Sequence, residues 1–167
     1  MHFNLLAATL ALLPAAFAAP ADPAPASTQC NPKTLTRAYF VNCYTNPTDG
    51  TRGEVDFFKK APLKTFGHAN PDIVSVVSDG INEVWENGGG ITTTAVGSTS
   101  ATFAWTINYT QESISDVPPG FEVGNATLST GQKFALFKGD SELLRKTGSN
   151  PTFSCGVIYT AVQTNGS

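Results

Sequence analysis

Residues 70–90 read N-P-D-I-V-S-V-V-S-D-G-I-N-E-V-W-E-N-G-G-G, and the reading of this stretch decides the fold class. Asn70 has the chemistry of an N-cap, Pro71 suits a first helical position, and Asp72 complements the positive end of a helix dipole. Ile73, Val77, Ile81 and Val84 recur at helical spacing, with Val74 and Trp85 widening the stripe. Asp79, Glu83 and Glu86 line another face, and Gly88-Gly89-Gly90 supplies a stop. The pattern predicts a helix over about 71–87, held by its apolar face because its valines lower intrinsic propensity.

The flanking sequence reads as strands. Ala38–Tyr44 and Glu54–Phe58 form a hairpin around N-P-T-D-G, residues 46–50. After the glycines come runs at Ile91–Val96, Ala101–Thr110, Phe121–Ser129, Gln132–Lys138, Ser141–Lys146 and Thr152–Val162. The clearest is A-T-F-A-W-T-I-N-Y-T, residues 101–110. There Phe103, Trp105, Ile107 and Tyr109 alternate with Thr102, Thr106, Asn108 and Thr110. The expected fold is α+β: a curved antiparallel sheet of about six to eight short strands with the 71–87 helix packed on one face.

The N-terminus opens M-H-F-N-L-L-A-A-T-L-A-L-L-P-A-A-F-A-A-P. An apolar core over residues 3–13 and the small-x-small triplet Ala16-Phe17-Ala18 mark residues 1–18 as a secretory signal peptide, although no Lys or Arg precedes the core. Residues 19–29, rich in Ala and Pro, read as a mobile segment, and residues 30–167 as one domain. Cleavage leaves about 149 residues, enough to bury a core without help from cross-links. The formal net charge is −3 and charged residues make up 14% of the chain, which argues against nucleic acid and anionic membranes as partners. Lys59, Lys60 and Lys64 form the nearest approach to a basic patch, and read as a solvated loop.

Three cysteines, Cys30, Cys43 and Cys155, allow three pairings and leave one thiol over. The strand-like runs A-Y-F-V-N-C-Y and T-F-S-C-G-V-I-Y favour a Cys43–Cys155 disulfide, with Cys30 as a free or intermolecular thiol. Cys30–Cys155 remains open as an alternative. No metal or cofactor is expected, because His68 is the sole histidine after cleavage and no two cysteines have ligand spacing.

Candidate catalytic groups are sparse. Gly139-Asp140-Ser141, in K-F-A-L-F-K-G-D-S-E-L-L, has the lettering of a GDSL-type nucleophile block. A nucleophilic serine needs an oriented histidine, and none follows it in the chain. The same residues make a tight turn between two strands. His68, before the 71–87 segment, reads as a surface or capping residue. Glu54 and Asp56, two apart, share one strand face as a glycosidase pair does, or as two calcium ligands do, yet no wider ligand series surrounds them. Gly88-Gly89-Gly90 ends a helix rather than starting one, so it is no phosphate loop. No catalytic residue is assigned.

N-x-S/T signals stand at Asn108, Asn125 and Asn165, while prolines block Asn46 and Asn150. Tyr39, Phe40, Tyr44, Phe57, Phe58 and Phe66 gather near the hairpin. Phe57-Phe58 places one ring on each strand face, so Tyr44, Phe57 and Phe58 are candidate carbohydrate-stacking rings, with a core role as the alternative. The leader, the Ala/Pro segment, the few cysteines and the β-rich body together resemble small secreted proteins of fungi, effector-like ones included. The resemblance implies an extracellular, non-enzymatic protein acting by surface binding on a host protein or a cell-wall polysaccharide. A carbohydrate-binding domain and a small hydrolase are the alternatives.

Overall fold

The computed structural model describes residues 31–45, 51–61, 68–80, 83–86, 89–147 and 153–164. The strands are β1 (Arg37–Tyr44), β2 (Thr51–Phe58), β3 (Ile73–Asp79), β4 (Thr92–Ala95), β5 (Thr102–Ile107), β6 (Glu122–Leu128), β7 (Lys133–Lys138), β8 (Leu143–Thr147) and β9 (Phe153–Gln163). Among the described residues the helical ones are two short 3-10 turns, Pro32–Thr34 and Ser113–Asp116. The path β3-β2-β1-β9-β7-β6-β5-β4 is antiparallel throughout, and β8 pairs with β9. The path nearly closes on itself. Gly97, just after β4, donates its N–H to Ser75 Oγ of β3 at 2.8 Å. A Cβ on Gly97 would lie 2.7 Å from Ile73 Cγ2, and its φ of +55° is one that glycine adopts freely. The result is a nearly closed antiparallel barrel.

The α+β expectation is therefore corrected. Ile73–Asp79 is strand β3, paired with β2, and the 71–87 helix does not exist. Along it Ser75 is buried while Val74 and Val76 are exposed, a period of two. The run I-V-S-V-V is β-branched at four of its five positions, which favours the extended chain once a partner strand is available. Gly80 ends the strand with φ +81°. The other expected strands and the 38–44/54–58 pairing are present, each within a few residues. The turn at 46–50, the proposed leader at 1–18 and the segment 19–29 lie outside the described residues.

Phe40, Phe57, Phe103, Trp105, Phe134 and Tyr159 fill the barrel. Each end is closed by an apolar side chain from outside the sheet. At one end Leu35 is buried, and Gln132 Nε2 donates to the carbonyls of Pro32 (3.2 Å) and Leu35 (3.0 Å). At the other end Glu83–Glu86 forms a strap that inserts Trp85. Room for the strap comes from Gly53 on β2, where a Cβ would sit 2.5 Å from Glu83 Cβ.

A second, smaller core lies on the outer face of β1, β2 and β9, built from Val41, Cys43, Phe58, Ala69, Leu144, Cys155 and Val157. Burial on both faces explains why every residue from Gly53 to Phe58 is buried. β9 serves both cores through a bulge. Phe40 pairs with Tyr159 and Val41 with Val157, so Ile158 is the extra residue. Before it Cys155 and Val157 face the small core; after it Tyr159 and Ala161 face the barrel. The expected hairpin turn at Lys138–Ser141 is also corrected. β7 and β8 run along the same edge of β9 as one kinked strand, held by Gly139 N–H to Ile158 O (2.7 Å) and Ser141 N–H to Val157 O (3.0 Å). A Cβ on Gly139 would meet Val157 O at 2.7 Å, so the kink needs glycine.

Candidate functional site

Strand alternation turns Glu54 and Asp56 of β2 toward the small core, and β8 lays Arg145 between them. Arg145 Nε donates to Asp56 Oδ2 at 2.5 Å, and its Nη2 donates to Asp56 Oδ1 at 3.2 Å and to Glu54 Oε2. Arg52 completes the group: it forms an ion pair with Glu54 Oε1, and its guanidinium carbon lies 4.5 Å from the centre of the Phe153 ring. Glu54 and Asp56 are 0% exposed and Arg145 is 5% exposed. β8 is held on its other side by the segment 68–69, through a bridge between His68 and Arg145 and the Ala69 N–H to Leu144 O bond of 3.2 Å.

Two acids and two bases leave this cluster formally neutral, but its members are not in balance with water. Burial pushes both carboxyls above their ordinary range. The charge and hydrogen bonds of Arg145 pull the other way, and Arg52 assists. Burial works to lower Arg145, and the hydrogen bond and charge of Asp56, joined by the charge of Glu54, overcome it and hold the guanidinium up. A fork-shaped donor locked on two carboxylates is a structural clamp.

The Cys43–Cys155 disulfide is formed, across directly paired positions of β1 and β9. It borders the clamp, with Cys43 Sγ 3.6 Å from Glu54 Oε2; a disulfide sulfur has no proton to donate, so this is packing. Cys43, Cys155 and Glu54 bring ligand-type atoms within 4.8 Å of one another. The sulfurs are bonded to each other and the carboxylate is held by two arginines, so the trio is not presented as a metal site.

A second polar group sits under the strap. Trp85 Nε1 donates to Asn42 Oδ1 of β1 at 3.0 Å, and the Tyr159 hydroxyl donates to Glu86 Oε1. Burial first, and then the hydrogen bond to Glu86, push the Tyr159 hydroxyl far above its ordinary range. The indole N–H of Trp105, in the same interior, is buried without a hydrogen-bond partner.

The residues singled out from sequence scatter. Glu54 and Asp56 do share a face, but a buried one. Of the candidate stacking rings, Phe57 lies in the barrel, Phe58 lies in the small core, and Tyr44 is 45% exposed. The three rings do not form one surface, since the two faces of β2 are both covered. Ser141 is exposed at φ +64°, and His68 is exposed beside β8. Asn108 and Asn125 are exposed; Cys30 and Asn165 lie outside the described residues. Sequence reasoning missed Arg145, whose only signal was its place directly after Leu143-Leu144, and Trp85 as a plug.

Among the described residues no helix is long and apolar enough to cross a membrane, and the disulfide is compatible with an extracellular protein. No protein-family model, no curated protein and no solved structure matches the chain.

Proposed function

We infer that the chain is an exported, non-catalytic binding protein that acts through its outer surface on a host protein or a cell-wall polysaccharide. The observation that carries this reading is the fate of Glu54 and Asp56. The carboxylate pair that suggested acid–base chemistry is sealed from solvent and clamped by Arg145. General acid–base work needs a substrate proton within hydrogen-bond reach, and this pair has none to meet. Ser141 is likewise part of the kink between β7 and β8. Export is supported by the leader-like sequence of residues 1–18 and by the disulfide. Exposed Asn108 and Asn125 suit glycan attachment. For the polysaccharide partner, the exposed rings among the described residues are Tyr44 and Phe121.

The test is retention of the purified protein on insoluble chitin, β-glucan, cellulose and plant cell wall, with sugar release and ester hydrolysis followed in parallel. Retention that is released by the matching soluble oligomer and lost in Tyr44→Ala or Phe121→Ala selects the polysaccharide. Retention on none directs the search to a protein partner. Hydrolysis abolished by Ser141→Ala or Glu54→Gln overturns the non-catalytic reading.

A further inference from the structure

We propose that the strap end of the barrel is a binding site for a flat aromatic small molecule bearing a hydroxyl or similar donor–acceptor group, and that Trp85 occupies it as a built-in stand-in. A barrel of about eight strands has an interior just wide enough to be filled by side chains or to hold one small ligand. Here the wall fills most of the interior with its own rings, but at the strap end it stops doing so. The inward positions there are Asn42 on β1 and Gly53 on β2, small residues where Phe40, Val55 and Phe57 stand deeper in. The space is taken by Trp85, delivered from Glu83–Glu86, outside any strand.

Two observations point to a ligand rather than a permanent core ring. The strap is fastened by polar contacts that a ligand can replace, Trp85 to Asn42 and Tyr159 to Glu86. And Trp105, whose ring centre is 6.0 Å from that of Trp85, keeps a buried N–H with no partner. Buried N–H groups are normally satisfied, and indole is a donor only, so Trp85 cannot accept this one. A planar ring with a hydroxyl does both jobs: its O–H donates to Asn42 Oδ1 and its oxygen accepts from Trp105 Nε1. Phe40, in edge contact with both tryptophans at 5.2 and 5.1 Å, provides the apolar wall. This site is independent of the surface reading above; either can fail alone.

The experiment is calorimetric titration of the full chain with 2-naphthol and with naphthalene, which differ by the hydroxyl, using wild type, Trp85→Ala and Trp105→Phe. The expected result is one 2-naphthol per wild-type chain with naphthalene weaker. Binding should tighten about tenfold or more in Trp85→Ala, because the competing occupant is gone. Trp105→Phe should erase the preference for the hydroxyl. Wild type that binds neither probe overturns the proposal, even if Trp85→Ala binds, because that is only an engineered hole. Equal binding of the two probes by wild type also overturns it. If Trp85→Ala fails to fold, wild type and Trp105→Phe decide the matter between them.

Discussion

Two cores lie back to back on β1, β2 and β9, and they are held together in opposite ways. Inside the barrel the contacts are rings meeting edge to face: Phe40 against Trp105 and Tyr159, Phe103 against Phe57 and Phe134. Each such pair adds about 0.5–1.5 kcal/mol beyond area burial, so the interior is a sum of many moderate terms and loses stability in steps. On the other face the small core holds two carboxylates and a guanidinium out of water. There the cost of desolvation is large, the attraction that offsets it is large, and the balance depends on all members being present. The same three strands thus carry a graded core on one side and an all-or-none core on the other.

The sharpest way to break this comparison is Arg145→Met. It strands Glu54 and Asp56 together in the interior and should cost about 3–5 kcal/mol in urea unfolding. Replacing all three, as Glu54→Leu, Asp56→Leu and Arg145→Met together, should recover most of that loss; a triple variant as unstable as the single one would mean that the clamp itself is net stabilising. A smaller effect is expected from pH, since burial and pairing partly cancel. Both carboxyls have raised pKa values in the folded state, so the folded protein holds protons that the unfolded chain releases. Their contribution to stability is present below the ordinary values, 3.8 for Asp56 and 4.5 for Glu54, and fades as pH rises through the raised ones. Thermal unfolding midpoints should therefore fall with increasing pH across that window, and Glu54→Gln should flatten the slope; a rising midpoint that Glu54→Gln leaves unchanged would contradict the assignment. The smallest effect belongs to the barrel: Ile107→Val should cost about 0.5–1.5 kcal/mol, a step and not a collapse.

How much of this was legible in the sequence depends on where the information sits. β5 could be read outright, because Phe103, Trp105 and Ile107 alternate with polar residues and one face is solvent. The β1–β2 hairpin was legible from its aromatic and β-branched runs, while the strand-like contexts of Cys43 and Cys155 favoured their pairing without deciding it against Cys30–Cys155. β3 was misread because I-V-S-V-V-S-D satisfies two periods at once, and local cap signals at Asn70 and Pro71 favoured the wrong one. The Gly80 interruption was the countersign, since glycine weakens a helix interior. The pairing with β2 that decides the matter is not local information. β2 was legible as a strand but not in its burial: Glu54 and Asp56 look like a solvated face until Arg145, 89 residues away from Asp56, is brought to them. The carbohydrate platform failed for the same reason, since nothing in F-F at 57–58 announces a second core behind the sheet.

The extra residue at Ile158 has a consequence of its own. Along β9 it works as a parity bit: residues on its two sides use opposite odd–even conventions for which core they address. Removing Ile158 alone would make Val157 and Tyr159 neighbours on opposite faces of an unbroken strand, facing Val41 and Phe40, so both addresses would survive. Losing Gly156 instead, with the bulge kept, would set Cys155 beside Val157 and turn its side chain into the barrel. The bulge is thus the place in this strand where the chain can shorten by one residue without exchanging its dry aromatic side for its ionic one.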